Sequence, residues 1–129
     1  MAHELAWELT GAVAHFSGDV SDQDLFQATQ AVHQDPRFES LEYLVADFTN
    51  ASKITMSLEA VRLTAANDQQ ASERNPAIRL CIVGQQQILM GLANVYRAHF
   101  DLDGGGWELM HRNTMAEART CLGIADLSG

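Results

Sequence analysis

Residues 44–57, LVADFTNASKITMS, decide the fold of this chain. The stretch starts as a short apolar run, reaches Asp47 where that run ends, and passes through a polar turn to a helix start at or just before Ser57. A strand, a loop and a helix start in this order are the layout on which α/β proteins build ligand or regulatory sites. The stretch therefore predicts an α/β fold with a candidate site after its central strand.

Length and composition are those of a single globular domain that spans residues 1–129. Hydrophobic residues make up 47% of the chain and charged residues 19%. The net charge of -9, from 8 basic and 17 acidic residues, repels phosphate backbones and anionic lipid surfaces. We therefore expect no nucleic-acid partner. Because no window has the length and apolar character of a membrane span and no signal-peptide pattern is visible, we also expect no membrane insertion and a cytoplasmic location.

The first half of the chain alternates between strand and helix patterns. Alternating apolar residues over 5–9 and an extended run over 12–17, separated by Thr10 and Gly11, predict a β-hairpin. Helical spacing predicts a first helix over about 22–33 that begins after Ser21 and stops before Pro36. The apolar run 41–48 suits a central strand covered on both faces.

The second half continues the same alternation. The helix that starts near Ser57 should end before Asn75, and a second buried strand should follow over 78–83. A long amphipathic helix then runs to about Phe100, and 101–106 form a turn. A short strand over 107–110 and a helix capped by Thr114 complete the chain, and residues 124–129 form a frayed tail.

The predicted order is ββαβαβαβα, an α/β fold with a mostly parallel central sheet and helices packed on both faces. Crossovers through helices make the later strands parallel, whereas the hairpin places the first strand antiparallel at an edge. Ligands in such sheets bind beyond the carboxyl ends of the parallel strands. Here that edge should be formed by residues 18–21, 47–57 and 84–87.

Five segments, taken in chain order, carry a family resemblance: FSGDVSDQDL (16–25), DPRF (35–38), YLVADFTNASKITMSLEAV (43–61), IRLCIVG (78–84) and MHRNTMAEARTCLG (110–123). Together they resemble the SpoIIAA-like family of the STAS (anti-sigma-factor antagonist) superfamily. The resemblance implies a SpoIIAA/STAS-like α/β fold and a bacterial, non-catalytic regulatory domain that works by protein–protein interaction.

The resemblance also implies a regulatory site. In phosphorylated members of the superfamily, a strand ending in Asp leads to an Asp-Ser-Ser-Gly motif whose serine is phosphorylated by a partner kinase. Asp47 matches the acidic residue and Ser57 is the hydroxyl nearest the matching helix start, but residues 55–58, TMSL, replace the motif. Either residue also has a structural alternative, Asp47 as a turn former and Ser57 as an N-cap. The candidate regulatory or ligand-binding residues are Asp47, Thr49, Ser52, Thr55 and Ser57.

The long helix supports a second interpretation. Its apolar stripe is wider than one sheet face needs, so it packs as core or lines an apolar pocket or a dimer surface. The SpoIIAA-like fold is similar to Sec14-like lipid-binding domains, which implies a small apolar or acyl ligand. The residues of such a pocket would be Met56, Leu58, Leu89, Met90, Ala93 and Tyr96.

Motifs for catalysis and metal binding are not visible in the sequence. The histidines lack the spacing of zinc ligands, and residues 101–112 depart from a calcium loop at two ligand positions. Cys81 and Cys121 are interpreted as buried thiols rather than a disulfide. We therefore expect no catalytic residue, no metal and no cofactor. A polar cleft that holds Asp47 beside a histidine would favour a third class of function, a small hydrolase or transferase.

Overall fold

The computed structural model describes residues 2–102 and 106–124 and has a mixed α/β architecture. The predicted order ββαβαβαβα is confirmed, and the described residues add one 3₁₀-helix after the first α-helix. The elements in chain order are β1 (His3–Trp7), β2 (Gly11–Val20), α1 (Asp22–Gln34), the 3₁₀-helix (Pro36–Ser40), β3 (Tyr43–Ile54), α2 (Leu58–Ala71), β4 (Arg79–Val83), α3 (Gln87–Leu102), β5 (Glu108–Arg112) and α4 (Met115–Leu122).

The five strands lie side by side in sequence order, β1-β2-β3-β4-β5. As predicted, β1 is antiparallel to β2, and the other neighbouring pairs are parallel. Each crossover moves one strand in the same direction, so right-handed connections place α1, α2 and α3 on one face of the sheet. The short helix α4 packs against β3, β4 and β5 on the opposite face. The prediction that helices cover both faces is therefore confirmed.

Two apolar layers follow from the alternation of side chains along the strands. Ala12 and Phe16 of β2 belong to the larger layer, between the sheet and α1, α2 and α3. Val13 belongs to the smaller layer, which α4 covers with Ala118 and Leu122. The sheet thus separates a larger apolar layer from a smaller one.

The helices begin at the residues that the sequence indicated. Ser21 and Asp24 form a capping box, in which the Ser21 hydroxyl accepts from the Asp24 N–H and the Asp24 carboxylate accepts from the Ser21 N–H. Thr114 caps α4 by accepting from the Glu117 N–H at 3.1 Å. The Glu117 carboxylate accepts from the Asn113 N–H and not from the Thr114 N–H, so Thr114 and Glu117 do not form a reciprocal capping box.

The central strand β3 is longer than predicted, because it ends at Ile54 rather than at Phe48. Its second half pairs with β2 alone, from Ser17 opposite Asn50 to Val20 opposite Ile54, since β4 already ends at Val83. We call residues 17–20 and 50–54 the β2–β3 ribbon. The predicted polar turn is wrong because this stretch is a strand with solvent-facing polar side chains, and Asp47 therefore lies within the strand and not at its end.

Two predictions fall partly or wholly on residues outside the described ranges. The turn over 101–106 is wrong at its start, since α3 continues through Leu102. Residues 103–105 and the predicted tail beyond Ile124 lie outside the described residues.

Candidate functional site

Asp47 pairs in register with His15 of β2 on one side and with Val83, the last residue of β4, on the other. Only 4% of Asp47 is exposed, and its Oδ2 lies 2.8 Å from His15 Nδ1. Its Oδ1 accepts hydrogen bonds from the Thr49 N–H at 3.0 Å and from the Thr49 hydroxyl at 2.7 Å. Three donors on one carboxylate hold it in a single orientation.

His15 and Asp47 lie at the point where the pairing of β2 with β3 changes. The register shifts between His15 and Ser17, which makes a β-bulge directly after the pair. The His15 side chain is 42% exposed, and its Nε2 has no hydrogen-bond partner in the described part of the chain. No described hydroxyl or thiol is hydrogen-bonded to His15, so the pair lacks the nucleophile that a catalytic triad needs.

Ser57 is the N-cap of α2, as its position before the helix suggested. Its hydroxyl oxygen accepts from the Ala60 N–H at 3.1 Å and donates to Asp22 Oδ2 at 2.9 Å. The Ser57 N–H also donates to Asp22 Oδ1 at 2.6 Å. The first turn of α2 is therefore tied to the first turn of α1 through one exposed serine.

The five candidate regulatory residues do not converge on one point. Thr49 lies beside Asp47, whereas Thr55 donates its N–H and its hydroxyl to Val20 O, close to Ser57 in sequence. Ser52 lies between the two groups on the ribbon, where its side chain is exposed and makes no hydrogen bond with the described residues. Three candidates thus lie on β3, whereas Thr55 and Ser57 lie between the end of β3 and the start of α2.

The hydrogen bonds of Gln86 to β3 were not predicted from the sequence. Its Nε2 donates to Phe48 O at 2.7 Å and to Ala51 O at 3.1 Å, on the side of β3 that β4 leaves open. Its Oε1 is buried without a hydrogen-bond partner among the described atoms. The available signal was the run of glutamines directly after Gly84, the residue that ends the neighbouring strand with a φ of 152°.

A second polar cluster lies on the face covered by α4. The Arg119 guanidinium donates to the Glu8 carboxylate at 2.7 Å and holds the pKa of Glu8 below its usual value. The Tyr43 hydroxyl donates to the same carboxylate. Burial, with the nearby Glu8 charge adding to it, raises the pKa of Tyr43 to about 12. This cluster joins the end of β1, the start of β3 and α4.

An apolar cavity of about 110 Å³ lies between the sheet and α1, α2 and α3. Four of the predicted pocket residues line it, namely Met56, Leu89, Ala93 and Tyr96. The other two, Leu58 and Met90, are 50% and 41% exposed and do not line this cavity. Helical spacing cannot distinguish the inner edge of an apolar stripe from its outer edge.

The polar end of this cavity is formed by Asp68, which is 8% exposed. Its Oδ1 lies 2.7 Å from His33 Nε2, and its Oδ2 accepts from the Tyr96 hydroxyl at 2.6 Å. Burial, reinforced by the Asp68 charge, raises the pKa of Tyr96 well above its usual value. Both carboxylate oxygens are therefore occupied.

The helices and the ionisable side chains of residues 2–102 and 106–124 bear on membrane insertion and on metal binding. No helix there combines the length and the apolar character that crossing a bilayer requires. In the same ranges, no three histidine, cysteine or acidic side chains are grouped closely enough to hold a metal ion.

Comparison with known proteins gives structural relatives only. No protein-family model matches the chain, and no curated protein is similar to it. Among solved structures, the phosphorylated form of the Bacillus cell fate determinant SpoIIAA is 15% identical with a TM-score of 0.59, and the match covers 94% of this chain and 99% of that chain. The unphosphorylated anti-sigma factor antagonist SpoIIAA is 12% identical with a TM-score of 0.60, and the match covers 97% and 100%.

A third solved structure is an uncharacterized protein of the DUF3478 family from Shewanella loihica PV-4, described as having a SpoIIAA-like fold. It is 16% identical with a TM-score of 0.54, and the match covers 94% of this chain and 92% of that chain. These likenesses agree with the strand order and helix placement above. The chain has the SpoIIAA-like fold.

Proposed function

We propose that this protein is a non-catalytic regulatory module of the bacterial cytoplasm that binds a protein partner, or a second copy of itself, through residues 47–57 and the start of α2. The fold supports this proposal, since the similar SpoIIAA structures are of a protein described as an anti-sigma factor antagonist. The exposed Ser57, tied to Asp22 beside the half-exposed Leu58, is the observation that carries it.

The surface around Ser57 has the properties of a contact region. Lys53 and Ser52 are exposed on the ribbon, and Leu58 adds an apolar side chain at the helix start. On the side away from β2, residues 50–54 of β3 have no neighbouring strand in the described part of the chain, and Gln86 contacts β3 on that side. A partner can therefore meet exposed polar, apolar and backbone groups within one short segment.

A phosphate on Ser57 would act as a switch for this region. The modification removes the hydroxyl proton that Ser57 donates to Asp22 and places about two negative charges beside that carboxylate. Repulsion would separate the start of α2 from the first turn of α1. The contact surface of the unmodified protein would then change without any change in the core.

Site-specific photo-crosslinking in the native host tests the proposed surface. A photoreactive residue at Leu58 should give one defined crosslinked species, and Leu58→Asp in the unlabelled protein should no longer compete for it. Leu9, which is 98% exposed on the turn between β1 and β2, is the matched control and should give no such species. Equal crosslinking from both positions, or none from Leu58, would contradict the proposal.

Native and denaturing mass spectrometry of the protein from its host separates the forms of regulation. A mass that persists on denaturation and matches phosphate supports modification, to be mapped among Ser52, Thr55 and Ser57. A doubled mass under native conditions only supports a homodimer.

The second candidate function is to bind or carry a small apolar or acyl ligand. The observation that favours it is the cavity lined by Met56, Leu89, Ala93 and Tyr96. At about 110 Å³ the cavity is smaller than the roughly 300 Å³ at which pockets for drug-sized ligands begin. An added mass that is seen only under native conditions and is smaller than the mass of one chain would support ligand binding over protein binding.

A further inference from the structure

Two separate spaces meet at one turn of α1. The apolar cavity lies below this helix, and a surface groove of about 610 Å³ runs between α1 and α2. Thr29 and His33 line both spaces. Because both side chains belong to the wall of each space, the groove and the cavity adjoin at Thr29 and His33.

The cavity itself accepts only apolar groups. Asp68 is bonded to His33 and Tyr96, and the Thr64 hydroxyl donates to Ala60 O at 2.9 Å. Among the described residues, the lining side chains that keep an unpaired polar atom are Thr29 and His33, which also line the groove. A charged group that entered would lose its hydration and would meet Asp68 as the only acidic side chain of the described lining, with both carboxylate oxygens already occupied. The molecular part that fills the cavity is therefore uncharged and apolar.

The groove has the opposite character. Its walls carry uncharged carboxamides whose side chains make no hydrogen bond with the described residues, and its two charged residues, Glu73 and Arg74, have opposite signs. The Nδ1 of His33 also has no hydrogen-bond partner among the described residues. The carboxamide residues are Gln30, Gln34, Asn67 and Gln70.

We propose that the groove and the cavity together bind a small, neutral, amphipathic molecule. Its apolar part, of about four to six carbon atoms, fills the cavity, which is somewhat smaller than the roughly 150 Å³ site that holds benzene in another protein. Its hydrogen-bonding head, a hydroxyl or an amide, lies in the groove against His33 and the carboxamides. This inference rests on the second candidate function and names the entry path and the ligand class.

Four small probes test the ligand class. Xenon reports the cavity alone, and pentanamide, pentanoate and pentylammonium share one chain but differ in the charge of the head. Changes in the NMR shifts of backbone amide protons and nitrogens should place pentanamide at Thr29 and His33. The affinity for pentanamide should be at least about tenfold higher than that for either charged probe.

Substitutions on α3 separate cavity filling from nonspecific effects. Ala93→Leu adds bulk inside the cavity and should abolish binding of xenon and pentanamide, whereas Ala98→Leu, at an exposed position of the same helix, should change neither. If Ala93→Leu does not fold, Ala93→Val provides the same comparison with less added volume. Unchanged binding in the folded Ala93 variant would overturn the proposal.

Substitutions in the groove test the head. Gln34→Ala combined with Gln70→Ala should weaken pentanamide by several-fold and leave xenon unchanged. If xenon binds but pentanamide binds no better than pentanoate, this inference fails and the second candidate function stands. If neither xenon nor pentanamide binds, both fail.

Discussion

His15 and Asp47 are cross-strand neighbours whose side chains are joined Nδ1 to Oδ2 at 2.8 Å, immediately before a shift in strand register. The imidazole is partly exposed and the carboxylate is buried, so the pair connects the solvent-facing surface to the centre of the sheet. Because Asp47 also accepts two hydrogen bonds from Thr49, the pair forms a structural lock at the start of the ribbon.

The lock should be measurable as coupling between the two residues. Asp47→Asn should lower the free energy of unfolding by about 2 kcal/mol, because a hydrogen bond to a charged group is lost from a buried position. Combined with His15→Gln, the loss should be smaller than the sum of the two single losses by about 1 kcal/mol. Urea denaturation checks both values, with the exposed Asp19→Asn as the control. Strict additivity would show that the two side chains act independently.

Removing the cap of α2 should destabilise the protein modestly. Ser57→Ala removes the acceptor for the Ala60 N–H and the donor to Asp22, so unfolding should become easier by about 1–2 kcal/mol. Ser57→Glu should cost more, since its carboxylate faces Asp22, and Asp22→Asn should recover part of that extra cost. Ser52→Ala, on the exposed ribbon, is the control and should change stability by less than about 0.5 kcal/mol. An equal cost for Ala and Glu at position 57 would argue against the electrostatic switch.

The same substitution at two glycines should have opposite effects. A Cβ at Gly11 would fall within the ring of Tyr43, so Gly11→Ala should destabilise the protein by about 2–3 kcal/mol. Gly91 lies on the exposed side of α3 with no atom near its added Cβ, and Gly91→Ala should stabilise the protein by about 1 kcal/mol. Thermal unfolding of both variants tests this. A neutral Gly11→Ala would mean that Tyr43 can leave the Glu8 carboxylate at little cost.

Both tyrosines should remain protonated at a pH where free tyrosine is half ionised. Tyr43 and Tyr96 are the two tyrosines of the chain, and burial raises the pKa of each, that of Tyr43 to about 12. The folded protein should therefore show almost no phenolate absorbance at pH 10. Tyr43→Phe and Tyr96→Phe assign the two transitions.

The free energy of unfolding should depend on pH because of the same two raised tyrosine pKa values. A pKa raised above its unfolded value of about 10 contributes stability that is complete below pH 10 and is lost as the pH rises through the folded value. Unfolding free energy should hence decline from pH 10 towards 12, and less steeply in Tyr43→Phe. A phenolate signal near pH 10 in the folded protein would place at least one of the tyrosines in water.

Periodicity was enough to predict the element order and the helix starts. Ser21, Ser57 and Thr114 each precede an apolar pattern of helical spacing, and local hydrogen bonds decide a cap. The end of β3 could not be predicted in this way, since residues 49–54 are mostly polar and their strand state depends on pairing with β2. Hydrophobic patterning does not predict a polar strand that is stabilised by backbone hydrogen bonds to its neighbour.

The site residues were less predictable than the fold, because their contacts are distant in sequence. His15 meets Asp47 only through the parallel register of β2 and β3, and Asp22 meets Ser57 only after α1 and α2 have packed. The sequence shows that each of these residues is polar but does not show its neighbour. The cavity residues were partly predicted, because Ala93 and Tyr96 lie on the inner side of an apolar helix stripe.

The β2–β3 ribbon has a mechanical consequence. Its backbone is held by one strand on one side and by the single side chain of Gln86 on the other, whereas the first half of β3 is fixed between two strands. A two-stranded ribbon tolerates a wider range of twist than the middle of a sheet. The segment that carries Ser52 is therefore held by fewer backbone contacts than the five-stranded part of the sheet, and its twist is set mainly by its pairing with β2.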